Sequence, residues 1–63
     1  MKKGTVKFFD ETRGFGFIKD DESGQDLFVH KSALKNMINE GDKVVFDIEQ
    51  GKKGLNATNV RLA

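Results

Sequence analysis

Phenylalanines interleaved with glycines, next to cations and a single histidine, are the residues of this chain whose types and spacing suit them to chemistry. Arg13-Gly14-Phe15-Gly16-Phe17-Ile18 alternates glycine with phenylalanine behind a cation, and Leu27-Phe28-Val29-His30 alternates aliphatic with aromatic and imidazole side chains. In a strand, alternate residues point to opposite faces. Phe15 and Phe17 therefore share one face, and so do Phe28 and His30. Placing the phenylalanines in the core would leave Ile18, Leu27 and Val29 in water and bury His30, so the aliphatic face is expected inside and the aromatic face outside. A cluster of exposed rings implies a partner. Nucleobases fit it, because each has a flat π-face, and a base stacked on an aromatic ring gains roughly 1–3 kcal/mol whatever its sequence. Arg13 can contact phosphate or stack on a base. His30 can stack or make a structural hydrogen bond. Gly14 and Gly16 remove side chains beside the rings, and Gly16 faces the expected core, where it allows close packing.

These segments need strands to hold them. Strand propensity and alternation predict strands over 5–9, 15–19, 25–30, 43–49 and 56–62. Val44, Phe46 and Ile48 share one face of the fourth strand, and Thr58, Val60 and Leu62 one face of the last. Turns fall at 10–14, at 20–24 with Ser23-Gly24 as the bend, at Gly41-Asp42 and at 50–54. Residues 32–39 have room for one helical turn capped by Ser32. The expected core is Val6, Ile18, Leu27, Val29, Leu34, Val44, Phe46, Ile48 and Val60. Strict alternation would put Val6 and Phe8 on the same face, so a bulge or a strong twist near Lys7 is needed if Val6 is inside and Phe8 outside. Phe9 belongs to the core or its rim. An open sheet of this size would expose its edges, so the strands are expected to close into an all-β barrel.

Composition narrows the function. The chain has 63 residues, the size of one domain, and such a chain buries only about 60% of its unfolded surface. It has no cysteine and one histidine, which offers no metal-ligand set. The lack of cysteine, and of any apolar run suited to a signal peptide or a membrane helix, leads to the expectation of a cytoplasmic protein. Lys and Arg total 11 against 10 Asp and Glu, a net charge of +1, so charge alone would not hold it to nucleic acid. Any basic attraction must come from placement. No nucleophile–base pair, phosphate loop or cofactor motif is present, so neither catalytic residues nor a cofactor are expected. A barrel using the aromatic face to bind an apolar peptide remains the rival reading.

Two folds carry such aromatic motifs. Residues 13–17 fit the RRM pattern K/R-G-F/Y-G/A-F-V-x-F/Y, but Asp20 stands where its last aromatic belongs, and the helices an RRM packs behind its sheet have no counterpart here. An OB-type barrel needs little besides its strands. Gly4-Thr5-Val6-Lys7-Phe8-Phe9, Arg13 to Ile18, Asp26-Leu27-Phe28-Val29-His30, Ser32-Ala33-Leu34 and Ala57-Thr58-Asn59-Val60 together resemble the bacterial cold-shock proteins over nearly the whole chain. The resemblance implies a single cold-shock domain over 1–63, folded as a five-stranded antiparallel OB-fold barrel. It implies a monomer that binds single-stranded RNA and DNA, with no membrane or small-molecule substrate. The expected activity is that of an RNA chaperone, with an influence on transcription or translation in the cold-shock response.

Carried over by position, Phe8, Phe15, Phe17, Phe28 and His30 form the stacking platform, Lys7, Arg13 and Asp26 its polar rim, and Lys53 a further contact in the last loop. Asp26 has either a base-edge or a structural role. Three positions depart from the resemblance. Phe8 stands where the family usually has tryptophan, and Lys31 where it usually has another phenylalanine, which exchanges a stack for a phosphate contact. The segment 35–40 is shorter and lacks the aromatic often found there, for which Met37 is a partial substitute. Fewer stacks and a stronger salt dependence are the expected result.

Overall fold

The computed structural model describes residues 1–51 and 54–63. Five strands form where β-branched and aromatic residues alternate with polar ones: β1 (Lys2–Asp10), β2 (Phe15–Asp20), β3 (Asp26–His30), β4 (Lys43–Gly51) and β5 (Gly54–Leu62). They close in the order β1-β2-β3-β5-β4, with β4 returning to β1. Closure removes the sheet edges that a small open sheet would expose. The β1–β2, β1–β4, β2–β3 and β4–β5 ladders are antiparallel. The β3–β5 seam is parallel and brief, with Phe28 opposite Asn56.

Two bulges decide which side chains face in. The β1–β2 register shifts between Val6 and Phe8, where Val6 pairs with Ile18 and Phe8 with Phe17. Lys7 is the extra residue, so of the two ways out of the alternation conflict, bulge or twist, the chain takes the bulge. The second shift is in the β4–β5 ladder, where Val45 pairs with Arg61 but Asp47 with Thr58. Two steps along β4 thus match three along β5, and Asn59 takes up the excess with φ 52°. Asparagine tolerates this left-handed conformation better than most residues. The bulge corrects the predicted face of the last strand. Val60 is buried, but its inward companion is Ala57, while Thr58 is half-buried and Leu62 is exposed.

The core holds Val6, Ile18, Leu27, Val29, Val44, Phe46 and Val60 as expected, with Ala57 and Ile38 in addition. Leu34 and Ile48 pack against it but are only partly buried. Ile38 comes from the irregular segment before β4, where no periodicity marks a residue as internal. The turn after β3 is a 3-10 turn over Lys31–Ala33. Its cap is His30 rather than Ser32, because the turn begins directly out of β3 and the His30 ring accepts from the Ser32 amide. Asp20 is buried, with 4% of its surface exposed. Its carboxylate accepts from the amides of Glu22 at 2.8 Å and Ser23 at 3.4 Å, closing the β2–β3 turn. This carboxylate is therefore part of the fold.

Candidate nucleic-acid interface

The outer faces of β1, β2 and β3 carry a continuous patch of phenylalanine rings. Phe8 and Phe17 have ring centroids 5.6 Å apart and tilted by 45°. Phe17 meets Phe28 edge-on at 5.9 Å, and Phe28 stacks with Phe15 at 5.8 Å and 24°. The register produces this chain of contacts, because Phe17 lies opposite Phe28 and the Lys7 bulge brings Phe8 beside Phe17. Phe8 is 42% exposed, while Phe15, Phe17 and Phe28 are half-buried against one another. Phe9 turns inward over Gly16 and packs on the core. A Cβ on Gly16 would come within 2.7 Å and 2.8 Å of Phe9 atoms and closer still to the Phe8 carbonyl oxygen. Gly16 thus lets β1 and β2 approach closely enough for Phe9 to pack partly buried against the core while Phe8 stays outside.

His30 faces Phe15 across the β2–β3 ladder and is exposed. Its Nδ1 accepts from the Ser32 amide at 3.2 Å and lies 2.9 Å from Ser32 Oγ. An acceptor Nδ1 leaves Nε2 carrying the proton of the neutral ring. The histidine therefore caps the turn with one nitrogen and leaves the other as a free donor beside Phe15, so the structural hydrogen bond read from the sequence is made.

Ionic groups sit at the two ends of the patch. At one end the bulged Lys7 places its Nζ 3.0 Å from Asp26 Oδ2. At the other, Arg13 Nε lies 3.7 Å from Asp10 Oδ2, and Asp10 Oδ1 accepts from the amides of Thr12 and Arg13. Lys31 donates its backbone N–H to the Gly14 carbonyl, and its side-chain stem lies over Gly14. Among the described residues its ammonium has no acidic partner. The structure thus brings Lys7, Phe8, Arg13, Phe15, Phe17, Asp26, Phe28, His30 and Lys31 together on or beside one face. Lys53 lies outside the described residues.

Sequence reasoning missed a groove beside Phe17 and Phe28, lined by Gln25, Asp26, Leu55 and Asn56. Asn56 lies tightly against Gly51, in space that a Cβ at that position would fill. Asn56 lies opposite Phe28 across the β3–β5 seam, which joins residues far apart in the chain, so no local pattern announces it.

An aromatic face on a closed five-stranded barrel, rimmed by amines, suits a polyanion with flat bases. The family model for the "'Cold-shock' DNA-binding domain" matches residues 2–63. The chain belongs to this family. It is 51% identical to the cold shock-like protein CspA of Shewanella violacea, over 90% of this chain and 87% of that one. It is 49% identical to the cold shock protein CspC of Bacillus subtilis over the full length of both. Among solved structures it resembles Drosophila Unr CSD456, with a TM-score of 0.80 and 26% identity over 98% of this chain, which spans 26% of that longer one. The cold-shock domain is a nucleic-acid-binding module, and this protein is a cold-shock-domain nucleic-acid binder. The family is one of nucleic-acid-binding proteins.

Proposed function

We propose that the chain acts as a single monomeric domain that binds single-stranded RNA and DNA by stacking bases on Phe8, Phe15, Phe17, Phe28 and His30. The observation that supports this best is the unbroken ring series from Phe8 through Phe17 and Phe28 to Phe15, held outward by register rather than by chance exposure. A duplex keeps its base faces stacked on each other, so a ring platform selects strands whose bases are free. Four stacked bases would contribute about 4–12 kcal/mol before ordering costs, sufficient for binding at a net charge of only +1. Lys7, Arg13 and Lys31 engage phosphates, and Lys53 adds to them. Asp26, beside the groove, offers an acceptor to a base edge.

Holding bases apart keeps transcripts unstructured. That is RNA-chaperone activity, and in the cytoplasm it would act on transcription or translation when cold stabilises RNA helices. Titration with an unstructured oligonucleotide, followed by NMR, tests the reading. Shift changes should cluster on Phe8, Phe15, Phe17, Phe28 and His30, and a duplex of the same sequence should bind far more weakly. Equal binding of both forms would contradict the stacking mechanism.

A further inference from the structure

The ion pair at one end of the platform sets two binding groups against each other. Lys7 Nζ lies 3.0 Å from Asp26 Oδ2, so in the free protein each cancels the charge that the other would offer to a strand. β2 lies between the strands that carry them, so the Lys7 side chain reaches across β2 to make the contact. A cation one strand nearer is available. Lys19, on β2, stands directly opposite Asp26 in the β2–β3 register. Such a cross-strand pair has its Cβ atoms about 4.5–5.5 Å apart on one face. Lys19 is exposed and has no acidic partner among the described residues. The acids that follow it in the chain are committed elsewhere. Asp20 accepts from turn amides, and Asp21 accepts from Thr5 Oγ1 at 3.0 Å and lies 3.5 Å from Lys43 Nζ. Asp26 therefore stands between two cations and holds the one a strand further away.

We propose that Lys19 is a positioning residue for strand binding. When a phosphate takes the Lys7 amine, the Asp26 carboxylate passes to Lys19, and Lys19 itself touches no nucleotide. The exchange rests on the single-strand reading above, in which Lys7 meets a phosphate and Asp26 a base edge. Those two roles require the Lys7–Asp26 pair to open. Without a second cation, binding would lose that pair and leave a bare carboxylate beside an incoming polyanion. With Lys19, one exposed pair replaces another, and the second Asp26 oxygen stays available to a base edge. The register, rather than any contact with the strand, is what gives Lys19 this part.

Anisotropy titrations of the full chain with a labelled oligouridylate of about eight nucleotides test the exchange. Lys19→Gln should weaken binding by about threefold, the scale of one exposed ion pair. It should leave the salt slope unchanged, because no phosphate contact is lost. Lys19→Arg should retain the unaltered affinity. In an Asp26→Asn background, Lys19→Gln should have no further effect, since no carboxylate remains to be received. The side-chain carboxylate 13C resonance of Asp26 gives a second readout: Lys19→Gln should move it in the complex and hardly at all in the free protein. An equal or larger move in the free protein would overturn the exchange. So would a Lys19→Gln protein that binds as tightly as the unaltered one. A slope lowered by about 0.7, with a loss that persists in the Asp26→Asn background, would also overturn it by making Lys19 a direct phosphate contact. These outcomes leave the platform intact. If the unaltered protein does not bind the oligonucleotide, the single-strand reading fails and the exchange with it.

Discussion

Phe17→Ala tests the platform at its centre. Phe17 contacts Phe8 at 5.6 Å and Phe28 at 5.9 Å, and its side chain lies on the outer face, away from the buried Ile18 beside it. Removing the ring deletes one stacking partner, worth roughly 1–3 kcal/mol per base, which is about a 5- to 150-fold loss of affinity. It also removes two ring pairs worth about 0.5–1.5 kcal/mol each, so stability should fall by about 1–3 kcal/mol. A domain of 63 residues has a total stability of roughly 3–9 kcal/mol, so the barrel should remain mostly folded over all but the lowest part of that range. Phe46→Ala is the complementary perturbation. Phe46 is fully buried, and its truncation should cost about 3–5 kcal/mol, enough to unfold much of the population. The measurements are denaturant unfolding by circular dichroism and anisotropy with a labelled oligonucleotide, since the chain has no tryptophan to report binding. A Phe17→Ala protein that is folded and binds within twofold of the unaltered one would refute the stacking argument. So would a loss of affinity accounted for entirely by the unfolded fraction.

Three other outcomes follow from the same geometry. Gly16→Ala drives a methyl into the Phe8 carbonyl and Phe9, so it should destabilise by about 1–3 kcal/mol or more, visible as a lower Tm. Replacing Lys31 by phenylalanine should lower the salt slope of single-strand binding by about 0.7 and raise affinity at high salt; an unchanged slope would show that Lys31 makes no phosphate contact. Asn59→Val, at a φ of 52°, should destabilise by about 1–2 kcal/mol, whereas Asn59→Gly should be nearly neutral, both read from denaturant midpoints.

Much of this was legible locally. Alternation in 15–18 and 27–30 set the inner and outer faces of β2 and β3, and the clash between Val6 and Phe8 pointed to the Lys7 bulge. The platform was legible because a strand's two-residue period needs no information beyond the strand itself. The same period misled at 58–62, where the residue that breaks it, Asn59, has no local conflict to reveal it. The cap on the 3-10 turn moved from Ser32 to His30. β3 ends at His30 as alternation predicted, but the turn starts at Lys31 without an intervening residue, so the last strand residue rather than Ser32 becomes its cap.

By itself, then, the sequence determined the strands, their buried and aromatic faces and a ring set suited to bases, because these follow from neighbours one or two residues apart. Tertiary structure alone decided the rest. It buried Ile38 and Ala57, paired Lys7 with Asp26 and set Asn56 beside Phe28. Each of these joins segments separated along the chain. Their positions follow from how a closed barrel aligns its strands and seams, which no local window of residues contains.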